Sequence, residues 1–248
     1  MSPGVPSGLS SSGPLTASLA DRRIIAPGVA DLVFAMRSPE RLDFQAGQFV
    51  SIAVGKDARG IVLRRSYSIA SPSAEGERLR IIVRVIPEGT ASGYLMALPL
   101  GGEVHMTGPH GFFILDAQHA GDVVFGATGT GVAAVMPMLP ELGRRPPPGR
   151  RYLYWGVRHE EDLFARDEVE SLCREADTVL RLFLTAPPPG WTGGRGRITR
   201  AIVDSLPDLE SPTFYLVGNG AMIAELKEEL VARGINRKRQ VRTEAFFD

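Results

Sequence analysis

The sequence predicts two domains in tandem, a small antiparallel β-barrel followed by a doubly wound α/β unit on a parallel sheet. Three observations lead there. Residues 15–115 read as short β-type runs punctuated by Gly and Pro, the pattern of a small antiparallel barrel. From about residue 116 onward, short apolar strands alternate with stretches of helical length, which argues for parallel strands joined by crossover helices. Two glycine-rich turns, Gly126-Ala127-Thr128-Gly129-Thr130-Gly131 and Gly218-Asn219-Gly220-Ala221-Met222, each fall between such a strand and such a helix.

In the first half, strands are expected at residues 31–37, 49–54, 64–69, 79–86 and 103–107, where apolar and polar residues partly alternate. Residues 93–98 have helical composition. In the second half, a strand at 122–125 runs into the first glycine turn, and a helix is expected over 132–142. There follow a strand at 151–155, a helix at 162–175, a strand at 179–184, a short helix at 198–205 and a strand at 213–217. A helix over 222–233 stops at Gly234, as a C′ glycine would make it, and a last strand covers 240–245. The runs Pro146-Pro147-Pro148-Gly149 and Pro187-Pro188-Pro189-Gly190 read as rigid loops between elements. The first 14 residues, rich in Ser, Gly and Pro with no apolar segment, read as a disordered tail and not as a signal peptide. The expected limits are therefore 1–14 for the tail, 15–116 for the barrel and 117–248 for the α/β domain.

Of the 248 residues 44% are hydrophobic, enough for a substantial core. Lys and Arg (28) balance Asp and Glu (28), so the zero formal charge gives no general attraction to nucleic acid or an anionic membrane. No apolar run approaches ~18 residues, no membrane span is expected, and a cytoplasmic protein is the default. The single cysteine, Cys173, excludes an intrachain disulfide and a four-thiolate cluster drawn from this chain. Any iron–sulfur chemistry would sit on another polypeptide. His105, His110, His119 and His159 lack metal-ligand spacing, and no metal site is expected.

Arg65-Ser66-Tyr67-Ser68 combines a cation for phosphate, an aromatic ring for stacking and a hydroxyl for hydrogen bonding. On an extended strand Arg65 and Tyr67 share a face, so one ligand with a flat heterocycle and a phosphate would meet both. The same residues also suit an ordinary barrel strand. Gly89-Thr90-Ala91-Ser92 stands at a helix start, where free N–H groups and a hydroxyl suit a pyrophosphate, or where Ser92 is a plain cap. Thr128-Gly129-Thr130-Gly131 has the strand–turn–helix setting of a dinucleotide turn, though a tight βα turn without ligand has the same composition. Arg158, just past the next strand, stands where ribose recognition occurs, and Arg195 and Arg197 are further candidates for a 2′-phosphate or are solvated surface cations. Gly218, Asn219 and Met222 form a second ledge after a later strand.

Taken in order, these segments resemble the ferredoxin–NADP reductase superfamily of FAD-containing electron-transfer modules, from about residue 15 to residue 248. Arg65-Ser66-Tyr67-Ser68 is similar to its Arg-x-Tyr-Ser flavin motif and Gly89-Thr90-Ala91-Ser92 to the Gly-x-x-Ser that holds the FAD pyrophosphate. Gly108-Pro109-His110-Gly111-Phe112 resembles the Gly-Pro-x-Gly-x-Phe that closes the barrel. Thr128 to Gly131 is similar to the nicotinamide-side turn, and the segment from Gly218 to Met222 to the late Cys-Gly-x-x-x-Met element. Glu244-Ala245-Phe246 resembles a terminal Glu-x-aromatic whose ring shields the isoalloxazine. The resemblance implies a six-stranded barrel holding FAD and a parallel sheet holding NADPH or NADH. Ser68, Glu244 and Phe246 are then the candidates at the reaction centre. Arg65, Ser66, Tyr67, Ser68, Arg84, Gly89, Ala91 and Ser92 are those for FAD. A separate ferredoxin is the implied electron partner.

The chain departs from the family pattern in three places. Ala134 stands where relatives have proline, Val217 where they have cysteine, and Thr185 is followed by Ala186 and a proline run instead of an arginine. Two other readings are therefore kept. One is an NAD(P)H:flavin reductase that takes flavin as a diffusing substrate, which the segment Tyr154-Trp155-Gly156-Val157-Arg158 and Trp191 resemble. The other is a non-catalytic regulatory subunit of the same fold.

Overall fold

The computed structural model describes residues 13–116, 121–144 and 149–246. The expected tail (apart from Gly13 and Pro14), His119 and Pro146 to Pro148 lie outside the described residues. The first half folds into six antiparallel strands: β1 (Leu15–Ala26), β2 (Val29–Ser38), β3 (Phe49–Lys56), β4 (Val62–Ser68), β5 (Arg78–Arg84) and β6 (Glu103–His110). Their order is β4-β3-β6-β1-β2-β5. The ends approach each other through an Ile69–Ile81 bridge and an Ala70 N–H that donates to the Arg80 carbonyl at 2.7 Å, which curls the sheet into a barrel. Alternation does the sorting: along β3, Val50, Ile52 and Val54 are buried while Phe49, Ser51 and Ala53 are only partly covered. The strand that sequence reading missed is β1. Its Asp21-Arg22-Arg23 run and three register shifts against β2 break the alternation that marks a strand.

A short helix, α1 (Thr90–Ala97), sits between β5 and β6. The second half is a six-stranded parallel sheet: β7 (Val123–Thr128), β8 (Arg151–Val157), β9 (Val179–Leu184), β10 (Gly194–Arg195), β11 (Thr213–Asn219) and β12 (Val241–Phe246). Its order is β10-β9-β8-β7-β11-β12. The chain therefore moves outward on one side of β7 and then returns to its other side. That reversal leaves a crevice at the carboxyl ends of β7 and β11, the two strands that carry the glycine turns.

Helices cover both faces. The helix expected over 132–142 is two: α2 (Val132–Val135) and α3 (Met138–Gly143), interrupted where Pro137 removes an N–H donor. The helix expected from residue 162 begins four residues later, as α4 (Arg166–Glu175), because a 3₁₀ turn at Glu160–Asp162 and left-handed Ala165 (φ 46°) precede it. On the other face lie α5 (Ile198–Ser205) and α6 (Gly220–Ala232), and a further turn, α7 (Arg237–Gln240), leads into β12.

The barrel interior forms one apolar cluster around Phe34, Leu32, Ile52 and Met106. A second runs from the outer side of the barrel (Val29, Ala46, Ile82, Phe113) to Phe125, Met138, Leu139 and Trp155 of the α/β half. Polar contacts reinforce this junction. Arg80 on β5 holds the buried Asp31 at 3.0 Å and Glu168 of α4 at 3.0 Å, and the Ser73 hydroxyl donates to Glu141 at 2.7 Å.

Candidate functional site

β4 pairs with β3, placing Ser68 opposite Phe49 and Tyr67 opposite Val50. Tyr67 packs partly against the barrel core, and burial pushes its phenol up to about 12, against the pull of the Arg65 charge. It therefore stays neutral, a ring with a hydroxyl donor. Arg65 is exposed, and its guanidinium contacts the carbonyl of Arg64 at 2.9 Å. Ser66 is exposed between them.

Ser68 is buried, and its hydroxyl donates to Glu244 Oε1 at 2.7 Å. These residues are 176 positions apart, so the bond joins the barrel directly to the last strand of the parallel sheet. Burial raises the Glu244 carboxyl above the ordinary glutamate range, and the Ser68 hydroxyl pulls it part of the way back. In the parallel ladder Glu244 pairs with Val217 and Phe246 with Asn219, which brings the end of β12 beside the second glycine turn. Gly111 sits against the same carboxylate: a Cβ there would lie 3.6 Å from Glu244 Oε2 and 3.0 Å from the Phe49 ring.

The two glycine turns are braced against each other. The Asn219 N–H donates to Thr128 Oγ1 at 2.9 Å, and a Cβ on Gly131 would lie 2.9 Å from the Val217 carbonyl. Gly218, with φ 118°, leaves no room either, since a Cβ would meet Thr128 Oγ1 at 2.3 Å. Gly129 differs: its φ is 54°, and the space a Cβ would take is open. Asn219 also caps α6, its side chain accepting from the Met222 N–H at 3.0 Å, while Met222 is buried in the core under α5 and α6.

Other candidates are placed less simply. Ser92 is buried, and its hydroxyl exchanges hydrogen bonds with the Ile86 N–H (3.1 Å) and carbonyl (3.2 Å). It ties the β5–α1 turn together. The start of α1, from Gly89 to Ala91, has no side-chain cap. Arg84 reaches across the junction to Asp162 at 3.6 Å. Arg158 and Arg195 stand at one level of the sheet edge, next to and opposite Val157 and Leu184, and both are exposed. Arg195 donates to the Trp191 carbonyl at 3.1 Å, and Arg197 pairs with Glu225 at 3.4 Å. The aromatic that closes the barrel is Phe113, buried in the shared cluster, whereas Phe112 is 87% exposed. Ala134 and Val217, the two departures from the family pattern, are fully buried packing positions.

These residues fit the two groups implied by the sequence. An exposed guanidinium beside a neutral phenol, and a helix start without a side-chain cap, suit a diphosphate joined to a flat ring. The open space at Gly129, at the topological switch point, suits close approach of a second nucleotide.

Comparison with known proteins agrees. An oxidoreductase FAD-binding domain model matches residues 16–114, and an oxidoreductase NAD-binding domain model matches residues 125–228. The chain is 31% identical over 228 residues to ferredoxin–NADP reductase B of Sorangium cellulosum, covering 89% of this chain and 92% of that one. It is 29% identical over 234 residues to NADH-cytochrome b5 reductase 1 of Aspergillus terreus, covering 90% and 79%. The solved structure of an Amycolatopsis cytochrome P450 reductase superposes with a TM-score of 0.82 at 27% identity, covering 94% of this chain and 70% of that one. With one relative matched over nearly its whole length and both domain models falling in order on the two sheets, the chain belongs to the ferredoxin–NADP reductase superfamily of FAD- and NAD(P)-dependent oxidoreductases.

Proposed function

We propose that this enzyme takes a hydride from NAD(P)H and delivers single electrons to a separate ferredoxin-type iron–sulfur protein. The observation that carries the reading is the Ser68–Glu244 hydrogen bond of 2.7 Å, because it sets a buried hydroxyl and a half-buried carboxylate where the barrel strand, the last strand and both glycine turns converge. Bound FAD supplies the step between a two-electron donor and one-electron acceptors. Residues 15–116 hold the flavin, with Arg65 and the uncapped start of α1 on its diphosphate and Tyr67 against its ring. Residues 117–248 hold the coenzyme, with the Thr128–Gly131 turn and the Gly218–Asn219 ledge as backbone donors. Ser68 and Glu244 hold and move a proton beside the reacting edge, and Phe246 covers that edge until the coenzyme arrives. Arg158 and Arg195, level at the sheet edge, favour NADPH over NADH. Among the described residues no helix is long and apolar enough to cross a membrane. The single cysteine, buried on α4, suits a reducing compartment, and the proposal sets the enzyme in the cytoplasm.

The test is anaerobic stopped-flow with NADH and NADPH in parallel, followed by mixing with ferredoxin or cytochrome b5. Bleaching of the flavin by NADPH and reoxidation by ferredoxin are expected. Reoxidation by the cytochrome alone would reject the ferredoxin assignment.

One observation favours a second reading, NAD(P)H:flavin reductase: the Ser92 hydroxyl is already engaged with Ile86. Without it the diphosphate has fewer side-chain donors. Dialysis separates the two, since a flavin reductase loses its yellow colour and a FAD-retaining enzyme keeps it.

A further inference from the structure

Two hydrogen bonds and one close backbone approach hold the first glycine turn. Thr128 is fastened to Asn219 and Gly131 lies on Val217, both on β11. Between them Gly129 has left-handed backbone and no side chain to locate it. Its carbonyl instead accepts a hydrogen bond from the indole N–H of Trp155 at 3.0 Å. Trp155 is fully buried, lies on β8 beside Ala127 of β7, and meets the Phe164 ring edge-on at 5.4 Å.

Resting on the oxidoreductase reading above, we infer that Trp155 is a positioning residue for the coenzyme: it aims the backbone of the dinucleotide turn and so sets coenzyme affinity, without touching the reacting atoms. Peptide geometry links the indole to the ligand side of the turn. In a trans peptide the carbonyl oxygen and the following N–H lie in one plane and point opposite ways. Pinning the Gly129 oxygen inward, onto a core indole, therefore turns the Thr130 N–H outward, to the crevice. An indole is suited to the task. It has a single donor and no acceptor, and once buried it needs a partner, so the bond is maintained from both sides. The Phe164 contact fixes the ring from behind, and Phe164 itself is buried ahead of α4. The turn, the end of β8 and the start of α4 are thus set by one side chain. Sequence reading names Trp155 as part of a strand and of a segment resembling flavin reductases, and nothing in its neighbours shows which carbonyl it will reach.

The test uses the FAD-loaded enzyme. Trp155→Phe keeps an aromatic ring and removes the donor. It is expected to raise KM for NAD(P)H, and Kd for the oxidised coenzyme, about tenfold, with kcat within about twofold and FAD content unchanged. Phe164→Leu keeps the indole donor but removes the ring behind it, and is expected to lower Tm and to raise KM less than Trp155→Phe does. A Trp155→Phe enzyme with wild-type KM, including one whose apparent kcat falls only in proportion to lost folded protein, overturns the inference. Because Trp155→Phe can fail to fold, a second measurement is made on Trp191→Phe, which leaves Trp155 as the sole tryptophan. Its ¹⁵N-labelled indole resonance is expected to shift as oxidised NADP is titrated in, and a resonance unmoved at saturation overturns the inference. Wild-type turnover in the same assays separates the two claims: an inactive wild type rejects the oxidoreductase reading, and an active one with insensitive variants rejects only the role of Trp155.

Discussion

The flavin-side strand and the coenzyme-side turns are made of different material. On β4 the candidate contacts are side chains: exposed Arg65, half-buried Tyr67 and buried Ser68, each in an ordinary extended backbone. At the ends of β7 and β11 they are main-chain groups, presented by glycines whose missing Cβ atoms leave 2.3 Å to Thr128 at Gly218 and 2.9 Å to Val217 at Gly131. A site of side chains is tuned one substitution at a time, and the fold tolerates the change. A site of backbone is fixed by packing behind it, so altering it alters the fold. The first half should therefore lose ligand before stability, and the second half both together.

The largest effect is expected from Gly218→Ala. Its Cβ would overlap Thr128 Oγ1 and the carbonyl at φ 118°, and a loss of about 3 kcal/mol or more in urea unfolding, with loss of coenzyme turnover, would show the coupling. A variant with normal unfolding would break the contrast between the two regions. Next is the junction itself. Arg80→Met leaves the buried carboxylate of Asp31 with only the distant Arg23 guanidinium at 3.8 Å, and about 3 kcal/mol should be lost by the same measurement. Arg65→Ala should leave the unfolding midpoint unchanged while FAD dissociates about tenfold more readily, read by flavin fluorescence after dilution. If the protein is destabilised instead, the side-chain site is not independent of the fold.

Smaller still, Ser68→Ala should slow flavin reduction by NAD(P)H severalfold with FAD retained, and a stopped-flow trace that overlays wild type would remove Ser68 from the chemistry. The last prediction concerns pH. Burial raises the Glu244 carboxyl, so the folded state holds its proton more tightly than the unfolded chain does. The associated stability is full below the ordinary glutamate range and is lost as pH climbs through the raised value. Glu244→Gln should flatten that slope. Ser68→Ala should move it to higher pH, since the hydroxyl that pulls the carboxyl down is gone.

Much of this was readable in the sequence where local chemistry decides the outcome. The glycine turns, the Arg-x-Tyr-Ser strand and the α6 stop at Gly234 depend on residues within a few positions of one another, and the structure has them as expected. What escaped depends on partners distant in sequence. Strand β1 is held by β2 and β6 despite its charged run. Ser92 is drawn to Ile86 and not to solvent because the turn closes around it. Phe113 and not Phe112 is the core aromatic because the backbone at left-handed Gly111 (φ 99°) sets which of two adjacent rings turns inward. Ser68 and Glu244 are expected at one centre only through the family resemblance, since no pattern in either segment encodes a bond across 176 residues.

The apolar cluster shared by the two halves has a mechanical consequence. Phe113 of the barrel side lies in one dry mass with Met138 and Leu139 of the other, clamped at its rim by Arg80. Prying the halves apart would wet that mass, and exposing apolar surface costs free energy. On the proposed function, room for an incoming coenzyme is made by something lighter than a domain, and Phe246, the last described ring, is the candidate.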